Sequence, residues 1–375
     1  MWALLVFLAC EASDKAQTDV LDSSFLDTAI TSVEMSSQRF LLNTSIFIQR
    51  SGFISIWDRE AREEVWRLEN NSEMAWPEAR LSHDGETLWH NEVDAVSSSP
   101  ASSKFVQRRS DGTILNEIQV DGAHHSFDFV GEDRLVTLVT DIREHETYGP
   151  VAGDSLVLVE PDGSQNTLIS VHDVLYPEPI TEMWNGGNLD GVIDWTHANA
   201  VAHYPDIQQY LVTIPGLNAI WQISSSGDLE RVFLGAGVSA QPYLDGPRYS
   251  HRPFEILEGG DFSLPHGATL DSSGRLWLMS NGLGNQTPSF AQCYDVSSNS
   301  LQLEYQYGTD PEGAHSPGLG TVIFLENHGS VLINWGIWGV IEERETNGVP
   351  IWKIEASLGE VYGFTTTAPN LVKFK

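Results

Sequence analysis

The sequence predicts an all-β chain folded as a six-bladed β-propeller. Three observations carry this: helical periodicity is nearly absent, short alternating apolar runs recur throughout, and Asp-Gly or Ser-Gly turns punctuate them at regular spacing. The 375 residues include 41% hydrophobic and 10% aromatic side chains, with 12 Trp, enough to build a large core and to exclude disorder of the whole chain. Twenty Lys and Arg stand against 52 Asp and Glu, a net charge of −32, which excludes nucleic acid and anionic lipid surfaces as natural partners.

Residues Met1 to Cys10 read MWALLVFLAC, followed at once by a polar stretch. The run is far too short for a membrane helix, which needs about 20 apolar residues. It reads as an export signal over 1–10, with Phe7-Leu8-Ala9-Cys10 resembling a bacterial lipobox. The expected location is therefore periplasmic or tethered to the outer membrane, with a lipid anchor at Cys10 as the membrane contact. Residues 11–29 read as a linker and 30–375 as one propeller domain. The second cysteine, Cys293, has no exported partner and reads as a buried thiol.

Turns such as Ser82-His-Asp-Gly, Ser110-Asp-Gly, Pro161-Asp-Gly, Ser224-Ser-Ser-Gly, Asp271-Ser-Ser-Gly and Thr346-Asn-Gly separate the strands. The units fall at about 30–72, 73–121, 122–175, 190–236, 261–309 and 313–357, and Val361-Tyr-Gly-Phe-Thr near the end is available to close the ring. The stretch 237–260, rich in turn formers, reads as a long loop over one propeller face.

Aligning the units on their turns sets three histidines in register. His125 and His266 are each followed by eight residues and then Arg-Leu, and His197 opens the corresponding run of the fourth unit. The first strand of a blade lines the central channel, so this register predicts that the three imidazoles share one cavity. His124, beside His125, is the alternative inward-facing group. Three converging imidazoles would also suit a catalytic zinc ion, with Asp128 and Asp194 available to orient them. No nucleotide-binding loop or serine elbow is present.

Asp194-Trp195-Thr196-His197-Ala198-Asn199 resembles the D-W-x-H-x-N signature of bacterial arylsulfotransferases. Pro265-His266-Gly267-Ala268 with Asn281-Gly282 resembles their Q-H-D-A…D-N-G block, and His124-His125-Ser126 resembles their H-H-D segment. The similarity spans most of residues 75–360, including Asn334-Trp335-Gly336 and Ile351-Trp352. It implies a six-bladed propeller that moves a sulfuryl group from an aryl sulfate to a phenol, with no nucleotide sulfate donor, metal or other cofactor. His266 would be the nucleophile that is transiently sulfated. His197 and His125 would bind the sulfuryl oxygens and shuttle the proton, with His124, Asn199, Asn281 and Arg252 as further substrate contacts. One departure stands out: Pro215 occupies the position of the family's arginine, with Arg248 or Arg252 as substitutes. The reading from a different class is a propeller that binds ligands or scaffolds partners without turnover.

Overall fold

The computed structural model describes residues 38–47, 52–72, 74–93, 103–177, 188–189, 191–245, 249, 253–256, 260–283, 287–297, 300–309, 313–356 and 360–368. The expected export signal and linker lie outside these residues. Within them, six antiparallel sheets follow one another along the chain. Blade 1 contains β1 (Phe40–Phe47), β2 (Gly52–Asp58) and β3 (Glu63–Asn70); blade 2 contains β4 (Ala79–Leu81), β5 (Leu88–Glu92), β6 (Lys104–Arg108) and β7 (Ile114–Gln119). Blade 3 is built from β8 (Ala123–Val130), β9 (Arg134–His145), β10 (Gly149–Val159) and β11 (Gln165–Ser170), and adds β12 (Asn188–Leu189) and β13 (Val192–Asp194). Blade 4 contains β14 (Ala200–Tyr204), β15 (Gln209–Ile214), β16 (Ala219–Ser224) and β17 (Leu229–Leu234). Blade 5 contains β18 (Pro265–Leu270), β19 (Leu276–Ser280), β20 (Phe290–Asp295) and β21 (Gln302–Gly308). Blade 6 contains β22 (Thr321–Leu325), β23 (Ser330–Asn334), β24 (Val340–Glu345) and β25 (Pro350–Glu355). The last strand, β26 (Glu360–Ala368), returns to blade 1 and pairs with β1, so the fold is a six-bladed β-propeller.

The turn residues explain the hairpins. In blade 5 the Asp271 carboxylate accepts hydrogen bonds from the Ser273 and Arg275 amides, while Gly274 takes the left-handed conformation (φ +82°) that the turn requires. Gly227 does the same in blade 4, and a Cβ there would lie 2.3 Å from the Leu168 carbonyl of blade 3.

Burial follows the ring. Among the described residues the buried apolar side chains form six clusters, one between each pair of neighbouring blades. Trp221 fills the junction of blades 3 and 4, whereas Trp277 and Trp335 fill that of blades 5 and 6. These tryptophans are blade packing. Outer strands such as β25 alternate between half-buried and exposed side chains, as expected where one face meets water.

Two regions depart from the sequence expectation. The 237–260 stretch contains a short helix, α1 (Gln241–Asp245), and pairs Phe254 with Phe233 of β17 and Ile256 with Leu301 beside β21. These bridges lie along the outermost strands of blades 4 and 5, and Tyr243, Tyr249 and Phe254 find apolar cover in the adjoining clusters. Blade 3 is longer than its peers: β9 and β10 have 12 and 11 residues and overhang the rest of the sheet. The overhang of β10 pairs in parallel with β13 through Val151–Ile193 and Ala152–Asp194.

The ring depends on its closing strand. β26 buries Val361, Tyr362 and Phe364, each worth about 1.5–3 kcal/mol of burial, against a total stability of the order of 5–15 kcal/mol for a domain. Truncation after residue 359 should therefore abolish cooperative thermal unfolding and expose the edge of β1. A truncated chain with an unchanged melting temperature would contradict this closure.

Candidate active site

The histidine register becomes one site at the start of the inner strands of blades 3, 4 and 5. The rings of His125 and His197 meet edge to face with centroids 4.9 Å apart. His266 lies near enough that its charge would oppose theirs: it depresses His125, and His197 depresses it in turn. Each strand reaches this point through an irregular backbone. The β8–β9 ladder is interrupted between His124 and Phe127, and the β18–β19 ladder between His266 and Thr269. His125 (φ +52°) and His197 (φ +48°) are themselves left-handed, a conformation that is costly for a non-glycine residue and concentrates at functional sites. In blade 5 Leu264 (φ +49°) and Gly267 (φ +51°) flank His266 in the left-handed region, and a Cβ on Gly267 would sit 2.4 Å from the Gly320 carbonyl.

Carboxylates orient two of the imidazoles. Asp194 Oδ2 lies 2.6 Å from His197 Nδ1, so that nitrogen carries the hydrogen. Burial opposes a charge on His197, but the Asp194 carboxylate and its hydrogen bond outweigh this and raise its pKa. His124 is placed differently from the substrate contact expected of it. Its Nε2 is 2.9 Å from Asp154 Oδ1 and its Nδ1 is 2.8 Å from His125 Nδ1, so both ring nitrogens are already engaged. Asp154 itself is buried; its other oxygen accepts from Thr196 Oγ1 and the Ala198 amide, both at 2.6 Å. Burial resists the charge, yet His124 and these donors hold its pKa below the usual carboxylate value.

The remaining imidazoles stay neutral. Burial, then the charges of His197, His124 and His266, pushes His125 well below an ordinary histidine. Burial likewise lowers His266 to about 4, against the weaker raising effects of the Leu264 carbonyl and Asn281. His266 Nδ1 faces that carbonyl at 3.3 Å, which assigns the hydrogen to Nδ1 and the lone pair to Nε2.

The asparagines hold backbone. Asn199 Nδ2 donates to the Pro265 carbonyl (3.1 Å), and Asn281 Nδ2 donates to Ser316 and Leu319 (2.8 and 3.1 Å). Asn91 and Asn334 make the same kind of bond, to His125 and Gly363. All four tie one blade to the inner loop of the next, and Asn91 directly fixes the backbone of His125. Both amide hydrogens of Asn281 go to these carbonyls, whereas Asn199 commits one of its two.

Arg248 and Arg252 lie outside the described residues. Pro215 opens a tight turn (Pro215–Leu217) packed behind the His197 loop. A Cβ on Gly216 would lie 2.2 Å from the Trp195 carbonyl, so this turn is a backbone support. Arg80, on β4, is engaged by Glu78, Asp128 and the Phe127 carbonyl. Asp128 therefore serves Arg80 and the His203 amide, and does not serve a site histidine. Among the described residues no group of three or more His, Cys, Asp or Glu is placed to share one metal ion. Cys293 is buried and its pKa is raised, so it is an inert core thiol.

His125, His266 and the buried His90 of β5, lowered to about 3, are all kept uncharged by the fold. Unfolding releases them to an ordinary pKa near 6.5. Below that pH the unfolded chain binds protons that the native one refuses, so stability falls as pH drops from about 6.5 toward 4, by up to about 1.4 kcal/mol per pH unit for each group. The melting temperature should decline across that window, and the His125→Gln/His266→Gln double variant should flatten the decline. An equal slope in the double variant would contradict the assignment of neutral imidazoles.

No protein-family model matches the chain, and no curated protein matches it in sequence. Among solved structures, a protein of unknown function from Bacteroides caccae aligns over 86% of this chain and 96% of its own, with 11% identity and a TM-score of 0.51. A functionally unknown protein from Desulfotomaculum acetoxidans covers 88% and 99%, at 11% identity and a TM-score of 0.48. The periplasmic gluconolactonase PpgL of Pseudomonas aeruginosa covers 88% and 100%, at 12% identity and a TM-score of 0.47. At these identities the likeness to the Bacteroides caccae protein is one of fold alone.

Proposed function

We propose that the chain is an exported arylsulfotransferase-like enzyme that moves a sulfuryl group from an aryl sulfate to a phenol through a sulfo-histidine. The observation that supports this most is the presence, at one site, of a neutral imidazole with an available lone pair beside one whose pKa is raised. A nucleophile and an acid of the same residue type need such opposite environments.

In the first half-reaction His266 Nε2 attacks sulfur in line as the S–O(aryl) bond breaks. The departing phenolate takes the proton of His197, leaving neutral His197, sulfo-His266 and free phenol. The imidazolium also offsets charge growing on the peripheral oxygens, the task that an arginine performs in the family and that Pro215 does not. In the second half-reaction the acceptor phenol attacks sulfur and gives up its proton to the histidine cluster. The products are a new aryl sulfate and free His266.

This division of labour predicts a leaving-group effect. His266→Ala should eliminate phenol-dependent release of 4-nitrophenol from 4-nitrophenyl sulfate. His197→Gln should lower kcat/KM for unsubstituted phenyl sulfate by about 10²–10⁴-fold and spare 4-nitrophenyl sulfate, whose phenolate leaves without a proton. Equal loss on both donors would remove the acid role. Release without an acceptor would indicate a sulfatase, and folded but silent protein that still retains phenols would indicate a binding propeller.

A further inference from the structure

We infer that Asp154 and His124 are positioning residues that set the tautomer of His125 and make its Nε2 a proton acceptor. The connectivity on the page is a chain of three groups. Asp154 Oδ1 is 2.9 Å from His124 Nε2, and His124 Nδ1 is 2.8 Å from His125 Nδ1. An ionised carboxylate only accepts, so His124 carries a hydrogen on Nε2, and a neutral His124 presents a lone pair at Nδ1. That lone pair is satisfied only if His125 Nδ1 bears a hydrogen, which leaves the His125 lone pair on Nε2.

The geometry makes this chain stiff. The second oxygen of Asp154 is pinned by Thr196 Oγ1 and the Ala198 amide, and the His125 carbonyl is held by Asn91. His125 thus cannot flip its ring without breaking a bond in a buried array. Its ring abuts His197, the proton donor of the first half-reaction.

The role of this base rests on the transferase reading. The acceptor phenol gives its proton to His125 Nε2 as its oxygen bonds to sulfur and the S–N bond to His266 breaks. The proton then passes from His125, a weak base, to neutral His197, the stronger one, restoring both for the next cycle. Atoms and charge balance with no other reactant.

Asp154→Asn tests the tautomer directly. The amide keeps an oxygen for Thr196 and Ala198 but turns an N–H toward His124 Nε2. His124 must then carry its hydrogen on Nδ1 and donate to His125, which moves the His125 hydrogen to Nε2. Nitrogen-15 NMR of the full chain with labelled histidine, assigned by comparison with His125→Gln, should show His125 Nε2 change from a pyridine-type to a pyrrole-type nitrogen. A pyrrole-type Nε2 already present in the unsubstituted protein, or no change in the variant, would overturn the inference whether or not the protein turns over aryl sulfates.

Activity gives the second readout. With 4-nitrophenyl sulfate as donor, Asp154→Asn should slow transfer to phenol about 10³–10⁴-fold, a far larger loss than that of the acceptor-independent burst of nitrophenol. Pre-ionised acceptors at alkaline pH should recover much of the rate. A purely structural role would lower the burst and the transfer together and give no recovery with pH. If the unsubstituted protein shows no turnover, the transferase reading fails and the NMR result still decides the tautomer.

Discussion

The buried carboxylate of Asp154 is the contact on which the site depends. It lies on the overhang of β10, near the point where β13 joins the sheet, and it binds groups from two other segments. One oxygen holds His124 of blade 3, and the other holds the Thr196–Ala198 loop that carries His197 into blade 4. A charge this deep is tolerable only when its lone pairs are filled, and the donors that fill them are those that shape the histidine cluster. The length of the blade 3 hairpin thus has a physical purpose: a hairpin of ordinary length would end before reaching β13.

The second constraint is the ladder of asparagines between blades. A propeller ring can open at any junction, and apolar packing alone leaves each inner loop free to shift along its neighbour. Asn91, Asn199, Asn281 and Asn334 remove that freedom by each donating an amide hydrogen to a carbonyl of the next blade. The left-handed His125 and His197 are held in place by this scaffold, which offsets the local cost of their conformations.

Much of this was legible in the sequence, for definite reasons. Turn chemistry is local, so Asp271-Ser-Ser-Gly and its counterparts reveal the strand boundaries and, through them, the blade period and the register of His125, His197 and His266. Asp194 stands three residues before His197 and was visible as a partner, although for a metal that the described geometry does not suit. Asp154 was not visible, because its partners lie 30, 42 and 44 residues away and meet it only through the β8–β9–β10 sheet and the pairing of β10 with β13. The blade-to-blade bonds of Asn199 and Asn281 were hidden for a similar reason, since their acceptors belong to the following blade. The pairing of Phe254 and Ile256 along the outer strands was hidden as well, since turn-rich composition says nothing about where Tyr243, Tyr249 and Phe254 find cover.

The positive charge at the site is the most economical part of the design. Pro215 braces the loop behind His197, and the described cation of the inner strands, Arg80, is consumed by Glu78 and Asp128. In the proposed transfer His197 would supply both the proton and the charge that an anionic donor needs, and His266 the nucleophile. The most direct test is to expose the protein to 4-nitrophenyl sulfate without acceptor, quench it, and map any added SO3 by peptide mass spectrometry. The account predicts one SO3 per chain on His266, lost again when phenol is added before the quench. An unmodified His266 in protein that still releases nitrophenol, or SO3 carried on another residue, would contradict it.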